Sequence, residues 1–378
     1  MESCQAMTTE KIPPFGSNKS LEILSRLLLM RRVDDLPTPS AVVEPDPDIA
    51  ALSREEFEDM LALANSHHVV MRGLEVLRQI EGNSEDDNRK EWATTALAVE
   101  HARIENILPF LEAICRAFEA EEYDITVIKS LDHWPDFGSD ADLYTNTDSA
   151  HVVRLMTRCF QAQVAPPSWG DRLAHKRNFV IPGLPEAVEI HIGRMGQTGE
   201  QVSIAASLAR RARVAPFGNH LFRVPAPSDR LMISTLQRMY RHFYFRLCDI
   251  VDTVNLSETG TIDYEDLRFV AKTAGIWKGV ATYLVIVSDY VKQYRGEELD
   301  LPSFVRDSAR FGGDSVYFNR GFLRVPIMPQ SASLFASQLS TLLRNRELRN
   351  TARLSLLPCL ATAAAVGQKI TGSDKGIW

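Results

Sequence analysis

The stretch VIKSLDHWPDFGSDADLY, residues 127–144, decides the fold class of this chain. It opens on the end of a β-rich run and closes on DADLY, where polar and apolar residues alternate. Alternation at a period of two is typical of a strand with one buried face, so Asp140 and Asp142 should project from the same side. Ala141 and Leu143 should then pack into the core. We expect this stretch to lie within a small mixed sheet.

A second alternating segment, AVEIHIG, spans residues 187–193. Its branched apolar residues share one face of the predicted strand, whereas Glu189 and His191 share the other. A strand of the same sheet with an acid on its non-core face would supply a third carboxylate. The segment alone is also consistent with an exposed edge strand, and His191 alone is more typical of a structural histidine than of a ligand.

The pair of aspartates indicates a possible chemistry. Two carboxylates a few ångström apart repel strongly unless cations lie between them. A pair of divalent ions at about 3.5–4 Å spacing would satisfy both acids and clamp a triphosphate for in-line attack. An Asp-x-Asp pair by itself is common on exposed strands and in turns, so further residues are needed to support this interpretation.

Helical periodicity dominates the chain on either side of this unit. Before it, apolar residues from Ile107 to Phe118 recur at spacings typical of an amphipathic helix. After it, Ser228 and Asp263 are positioned to cap helices, and another helix is expected from Trp277 to Tyr294. We therefore predict an α+β fold with an N-terminal helical region at 1–121, a small mixed-sheet core at 122–205 and a C-terminal helical domain at 206–378.

Composition excludes several classes of protein. The 378 residues are 45% hydrophobic and 24% charged, as in packed globular proteins. A net charge of -7 disfavours a protein that coats nucleic acid. Two basic runs, at 172–177 and 210–213, are interpreted as solvated faces. GxGxxG after a strand, GxxxxGK[ST], HExxH and GxSxG are all missing, which removes the main support for dehydrogenases, P-loop proteins, zincins and serine hydrolases.

Cysteine usage and apolar stretches point to the cytoplasm. The five cysteines are odd in number and include no CxxC pair, which argues against a disulfide framework and a cysteine zinc site. The N-terminus has no apolar core of signal-peptide length. The most apolar late stretch, 354–366, is shorter than the roughly 20 residues that span a bilayer. We expect no membrane partner.

Together these segments resemble the uncharacterised nucleotidyltransferase family, within the polymerase-beta-like nucleotidyltransferase superfamily. That superfamily has a glycine-containing turn, a spacer of nine to thirteen residues, an Asp-hydrophobic-Asp strand and a third acid on a later strand. The matching segments here are the turn Lys129-Ser130, the spacer 131–139, the strand Asp140-Ala141-Asp142 and the later strand Glu189-Ile190-His191. Similarity in the flanking helices extends the resemblance over about 57–294.

The resemblance implies a role for each of these residues. Asp140 and Asp142 would bridge two Mg²⁺ or Mn²⁺ ions. Glu189 would hold the ion on the acceptor side and take the proton of the acceptor hydroxyl. Ser130 would contact the β or γ phosphate of a nucleoside triphosphate (NTP), and Lys129 would add positive charge there.

Further candidates and two departures complete the predicted site. Lys176 and Arg177 are weaker candidates for the phosphate contact, and His191 is a candidate beside the acids. Ser130 stands where the family has glycine, and Glu189 stands where aspartate is usual. A glycine lets backbone N–H groups approach phosphate closely, whereas serine offers its own N–H and a hydroxyl.

The expected function is metal-dependent transfer of a nucleoside monophosphate from an NTP to an acceptor, with release of pyrophosphate. The acidic charge favours a small-molecule or protein acceptor over bulk nucleic acid, and tRNA stays open. One alternative is a degenerate nucleotide-binding protein without turnover, motivated by the departures at Ser130 and Glu189. Another is a toxin-like enzyme that nucleotidylates tRNA or a protein.

Overall fold

The computed structural model describes residues 18–29, 47–81 and 87–359 of the chain. Most of the apolar stretch 354–366 therefore lies outside the described residues. Within the described ranges, no helix combines the length and the apolar character that crossing a bilayer requires.

The N-terminal part is helical, as predicted. Ser53 begins one of its helices with a capping box, in which its hydroxyl accepts from the Glu56 N–H and the Glu56 carboxylate accepts from the Ser53 N–H. The first helix packs against a late one, since the Ser25 and Tyr290 hydroxyls are 2.7 Å apart. The helices are α1 (Lys19–Leu29), α2 (Pro47–Ala50), α3 (Arg54–Ser66), α4 (Val70–Glu81) and α5 (Asp87–Glu119).

A five-stranded mixed sheet follows, and it confirms the predicted α+β class. The strand order across the sheet is β1-β2-β5-β4-β3. Strands β2 and β5 are parallel, and the other neighbours are antiparallel. The elements are β1 (Ile125–Val127), β2 (Asp140–Thr145), α6 (Ser149–Phe160), β3 (Gln163–Val164), α7 (Trp169–Ala174), β4 (Lys176–Val180) and β5 (Ala187–Ile192).

The register of β2 against β5 positions the acidic residues. Asp142 lies opposite Glu189 across the parallel pair. Ala141 and Leu143 are buried, as the alternation predicted. Because side chains alternate between faces, the acids of both strands project from the face that is not packed against the core.

The C-terminal part is mainly helical but also contains β-structure that the sequence analysis did not predict. Strands β6 and β7 form a hairpin, and β8, β10 and β9 form a three-stranded sheet. The elements are α8 (Val202–Arg211), β6 (Arg213–Phe217), β7 (His220–Val224), α9 (Pro227–Tyr240), β8 (Tyr244–Phe245), α10 (Leu247–Glu258), α11 (Tyr264–Thr273), α12 (Trp277–Arg295), α13 (Ser303–Arg306), β9 (Tyr317–Asn319), β10 (Phe322–Arg324), α14 (Ala332–Arg344) and α15 (Leu348–Ser355).

Of two predicted helix starts in this part, one is confirmed and one is wrong. Asp263 caps α11, as expected, and its carboxylate accepts from two backbone N–H groups of the first turn. The predicted cap at Ser228 is wrong. Helix α9 begins at Pro227, and Ala226 occupies its N-cap position without a side-chain hydrogen bond. Proline suits the first helical position because its missing N–H has no partner there in any case.

A buried ionic network joins the N-terminal helices to the loop before β2. The Arg72 guanidinium on α4 lies 2.7 Å from a carboxylate oxygen of Asp136 and 2.7 Å from one of Asp252 on α10. All three side chains are nearly or fully buried. Asp252 also pairs with His133. Arg72 therefore holds two buried carboxylates from different parts of the chain.

We predict that Arg72→Met strongly destabilises the protein. It leaves two carboxylates buried without their shared cation, and breaking such a pair typically costs about 3–5 kcal/mol. Urea denaturation followed by circular dichroism measures the change in midpoint. Lys292→Met removes a cation from an exposed pair with Glu298 and should leave the midpoint unchanged. An equal shift for both variants would contradict the prediction.

Candidate functional site

Acidic side chains from two neighbouring strands share one cleft. Asp140 and Asp142 reach it from β2, and Glu189 reaches it from β5. His191 follows two residues later on the same face of β5, and its Nε2 lies 2.8 Å from a Glu189 oxygen. The structure thus brings together the three predicted carboxylates and the predicted histidine.

Lys129 places its ammonium among these acids. Its Nζ lies 2.5 Å from an Asp142 oxygen, 3.4 Å from a Glu189 oxygen and 3.1 Å from Nε2 of His191. The Lys129 backbone adopts the left-handed conformation, with φ of 59°. A non-glycine residue held in this region costs conformational energy, and such residues cluster at functional sites. In this state Lys129 neutralises carboxylates, in place of the predicted phosphate contact.

Ser130 is committed to the backbone of β2. Its hydroxyl donates to the Asp140 carbonyl at 2.8 Å and accepts from the Asp142 N–H at 2.7 Å. Its own N–H donates to the Ile128 carbonyl at 2.6 Å. The predicted phosphate contact therefore has no free donor on Ser130. The residue instead anchors β2, and the left-handed position that would favour glycine falls on Lys129.

The two weaker candidates on β4 take different positions. Lys176 is buried, and its Nζ lies 2.6 Å from Glu189 and 3.7 Å from Asp171. Lys176 therefore forms a buried ion pair with Glu189, the third predicted carboxylate. Arg177 points to the other face of the strand, where its Nε donates to the Ser149 hydroxyl at 3.0 Å. The structure does not bring Arg177 to the acids.

The pKa values of Glu189 and Asp140 are shifted in opposite directions. Burial raises the pKa of Glu189, but the neighbouring Lys129 and Lys176 outweigh burial and hold that pKa well below its ordinary value. Burial, together with the charges of Asp142 and Glu189, raises the pKa of Asp140. Without a bound ion, Asp140 therefore has a higher proton affinity than Glu189.

A cationic wall faces the acids across the cleft, and the sequence analysis missed it. Arg238 and Arg241 come from the end of α9, and Arg246 from the start of α10. Arg238 is paired with Asp249 at 2.7 Å. The Arg241 backbone N–H donates to the Gln237 carbonyl, but among the described residues its side chain has no hydrogen bond or ion pair. Its guanidinium is therefore available to an anionic ligand.

Two neutral imidazoles and an aromatic ring line the cleft beside the arginines of the cationic wall. Burial and the adjacent Arg241 hold the pKa of His242 well below its ordinary value, so its ring is neutral near pH 7. Burial and Arg246 likewise lower the pKa of His68. Two guanidinium groups, of Arg238 and Arg246, lie 5.5 and 5.9 Å from the centre of the Tyr244 ring.

The segment RMYRHFYFR, residues 238–246, carries the signal that would have revealed this wall. It interleaves three arginines and one histidine with aromatic side chains. Its aromatic residues were expected to belong to the long helix that begins at Ser228. Helix α9 instead ends at Tyr240, and Phe243 is left-handed before the short strand β8.

The acidic cluster has the donors that a divalent ion requires. One ligand atom each from Asp142, Glu189 and His191 lie within 4.8 Å of one another. Carboxylate oxygens suit Mg²⁺ and Mn²⁺, whereas an imidazole is a ligand that Zn²⁺ and other transition metals prefer. Since the Lys129 ammonium lies among the same three groups, an ion can bind there only when that ammonium moves away.

Comparisons with known proteins add no assignment. No protein-family model, curated protein or solved structure matches this chain. Membership of the nucleotidyltransferase family therefore stays a prediction, and the chemistry of the cleft is argued from its own residues.

We predict that Glu189→Gln flattens the dependence of stability on pH. Because its folded pKa lies below 4.5, Glu189 contributes stability that is present above about pH 4.5 and is lost as pH falls through the folded pKa. The variant should be less stable than the wild type at pH 7, and the two should converge in acid. Urea midpoints at pH 7, 5, 4 and 3 measure this. Glu105→Gln, on the exposed side of α5, serves as control, and a constant gap for Glu189→Gln would refute the prediction.

Proposed function

We propose that this cleft transfers a nucleoside monophosphate from an NTP to an acceptor, with release of pyrophosphate, and that the mixed sheet is a nucleotidyltransferase core. One observation carries the proposal: carboxylates of β2 and β5 face the cationic wall of α9 and α10 across a single cleft. A triphosphate accompanied by divalent cations presents both kinds of charge. Acids alone would suit a bare cation, and arginines alone would suit a bare anion.

The cationic wall supplies the groups that would orient the triphosphate tail. Phosphoryl-type transfer depends mainly on positioning and on stabilising charge, and it needs little covalent help from the protein. The unpaired Arg241 guanidinium is the group best placed to bind phosphate oxygens, since arginine offers two parallel donors. Arg246 also lines the cleft.

The acids would hold Mg²⁺ or Mn²⁺, with Asp142 and Glu189 as the principal ligands and Asp140 beside them. A divalent ion bound there neutralises charge on the phosphates and activates the acceptor oxygen. Lys129 would leave the acids at that point and turn its ammonium toward the phosphates. Its side chain is long and flexible enough to serve both positions.

The proton of the acceptor would go to Asp140. Its pKa is raised, whereas two lysines keep Glu189 ionised and reduce its basicity. A carboxyl with a raised pKa is a better general base near neutral pH. This assignment replaces the expectation that Glu189 takes the proton. The acceptor itself, a small molecule or a protein, stays a prediction from the charge of the chain.

A second candidate is nucleotide binding without turnover. Two observations favour it: the Lys129 ammonium already neutralises Asp142, and the Ser130 hydroxyl is committed to β2. Binding of Mg-ATP without any labelled product or pyrophosphate would identify this alternative. Labelled product would identify the transferase.

We predict that Asp142→Asn abolishes transfer without unfolding the protein. The variant keeps the shape of the side chain but loses the charge that would hold the ion. Each α-labelled NTP is incubated with the protein and a cell extract, with Mg²⁺ or Mn²⁺, and labelled products and pyrophosphate are followed. Chelation of the metal should also abolish labelling. If Asp142→Asn labels products at the wild-type rate, the proposed function is wrong.

We predict that Arg241→Met weakens binding of an NTP by about 10–100-fold, the range expected for loss of a hydrogen bond to a charged group. Calorimetric titration with an ATP analogue whose α,β bridge is a methylene group measures binding without turnover. Arg154→Met, an exposed change on α6, is the matched control and should bind as the wild type does. Equal affinity for both variants would remove Arg241 from the phosphate site.

A further inference from the structure

A second cationic cluster lies outside the cleft. Arg194 follows β5, and Arg349 and Arg353 come from α15. We call these three residues the arginine patch. Segments that are far apart in the sequence therefore bring positive charge to one place.

Hydrogen bonds to neutral acceptors hold two of its guanidinium groups. Arg353 donates from Nε to the Thr198 carbonyl at 3.2 Å and from Nη2 to the Leu173 carbonyl at 3.1 Å. Arg194 donates to a carbonyl of its own loop at 2.8 Å and to the side-chain oxygen of Asn350 at 3.2 Å. These bonds fix the position of each charge without neutralising it.

Among the described residues, no salt bridge pairs any arginine of the patch. The nearby carboxylates are occupied otherwise: Glu347 accepts from the Asn350 amide at 2.7 Å, and Glu200 is buried with a raised pKa. Arg349 and Arg353 stand four residues apart on one helix face, a like-charge spacing that is unfavourable without a counter-charge. Burial and the charges of Arg353 and Arg349 lower the pKa of Arg194. Apart from the charge of Glu200, which partly offsets the lowering of the Arg353 pKa, the described part of the chain gives these arginines no anionic partner.

An exposed aromatic side chain lies on α7, the helix whose Leu173 carbonyl accepts from Arg353. Trp169, at the start of α7, is 68% exposed. The Arg172 guanidinium lies 5.6 Å from its ring centre. The Leu173 carbonyl that binds Arg353 is only four residues further along α7, about 6 Å along the helix axis. Trp169 and the carbonyl that fixes Arg353 are thus about one helical turn apart on the same short helix.

We propose that the arginine patch and Trp169 bind a single-stranded nucleic acid, with phosphates on the guanidinium groups and an unpaired base stacked on the indole. Proteins that bind single strands combine a cationic track with aromatic platforms of this kind. The net charge of the chain is -7, so general basicity does not account for the patch. The inference does not depend on the proposed transfer reaction.

The test is fluorescence anisotropy with a labelled 12-nucleotide RNA and a DNA of the same sequence, without NTP and with a chelator. Affinity should fall with salt at a logarithmic slope of about −2, as expected for three phosphate contacts on a single strand. Arg349→Glu and Trp169→Leu should each lower affinity by about tenfold or more. Both residues are exposed, so the variants should fold, and thermal melts check this.

The matched control is Arg213→Glu, the same charge change at an exposed residue of β6. It should keep wild-type affinity. Equal loss of affinity in Arg213→Glu and Arg349→Glu would overturn the proposal, as would equal binding of a duplex, whose paired bases cannot stack on Trp169. Binding to anionic lipid vesicles but to neither oligonucleotide would also overturn it.

Discussion

The parallel pairing of β2 with β5 is the constraint on which the candidate site depends. It sets Asp142 opposite Glu189 and leaves Asp140 one step toward the solvent. If β2 slipped by one residue in this register, Asp140 and Asp142 would face the core, and Ala141 and Leu143 would face the cleft. The buried side chains of Ala141 and Leu143 oppose such a slip, so core packing and site geometry are set by the same contacts.

Two lysines from different elements reduce the electrostatic repulsion among the three carboxylates. Lys129 reaches in from the turn before β2, and Lys176 reaches in from β4. They pair with Asp142 and Glu189 and leave Asp140 without an ammonium partner. The cluster is thereby nearly neutral before any ion arrives, yet it keeps one carboxylate whose proton affinity is raised.

The parts of the fold that follow from local patterns could be predicted from the sequence. The alternation in DADLY and AVEIHI identified β2 and β5 with their outward acids, and Asp263 identified the start of α11. Strand β8 could not be predicted in this way, because two residues become a strand only through pairing with β10, far along the chain. Tertiary pairing overrides local propensity there.

The site was predictable to a similar extent. The acids were identified because a strand displays them at a fixed period. The cationic wall was not, since its position depends on where α9 ends. The role of Ser130 was also misjudged: a motif assigns it to phosphate, but the two backbone groups of β2 that its hydroxyl satisfies are visible only in three dimensions.

The separation of the paired charges along the chain has a consequence for the order of folding. Lys129 and Glu189 meet across a sequence separation of 60 residues, and parallel strands require the whole intervening segment to be in place. Closing so long a loop costs entropy before any contact compensates for it, and non-local pairing of this kind slows folding. The hydrogen bonds within each flanking helix close no such loop, so the pairing of β2 with β5 carries an entropic cost that formation of a single helix does not.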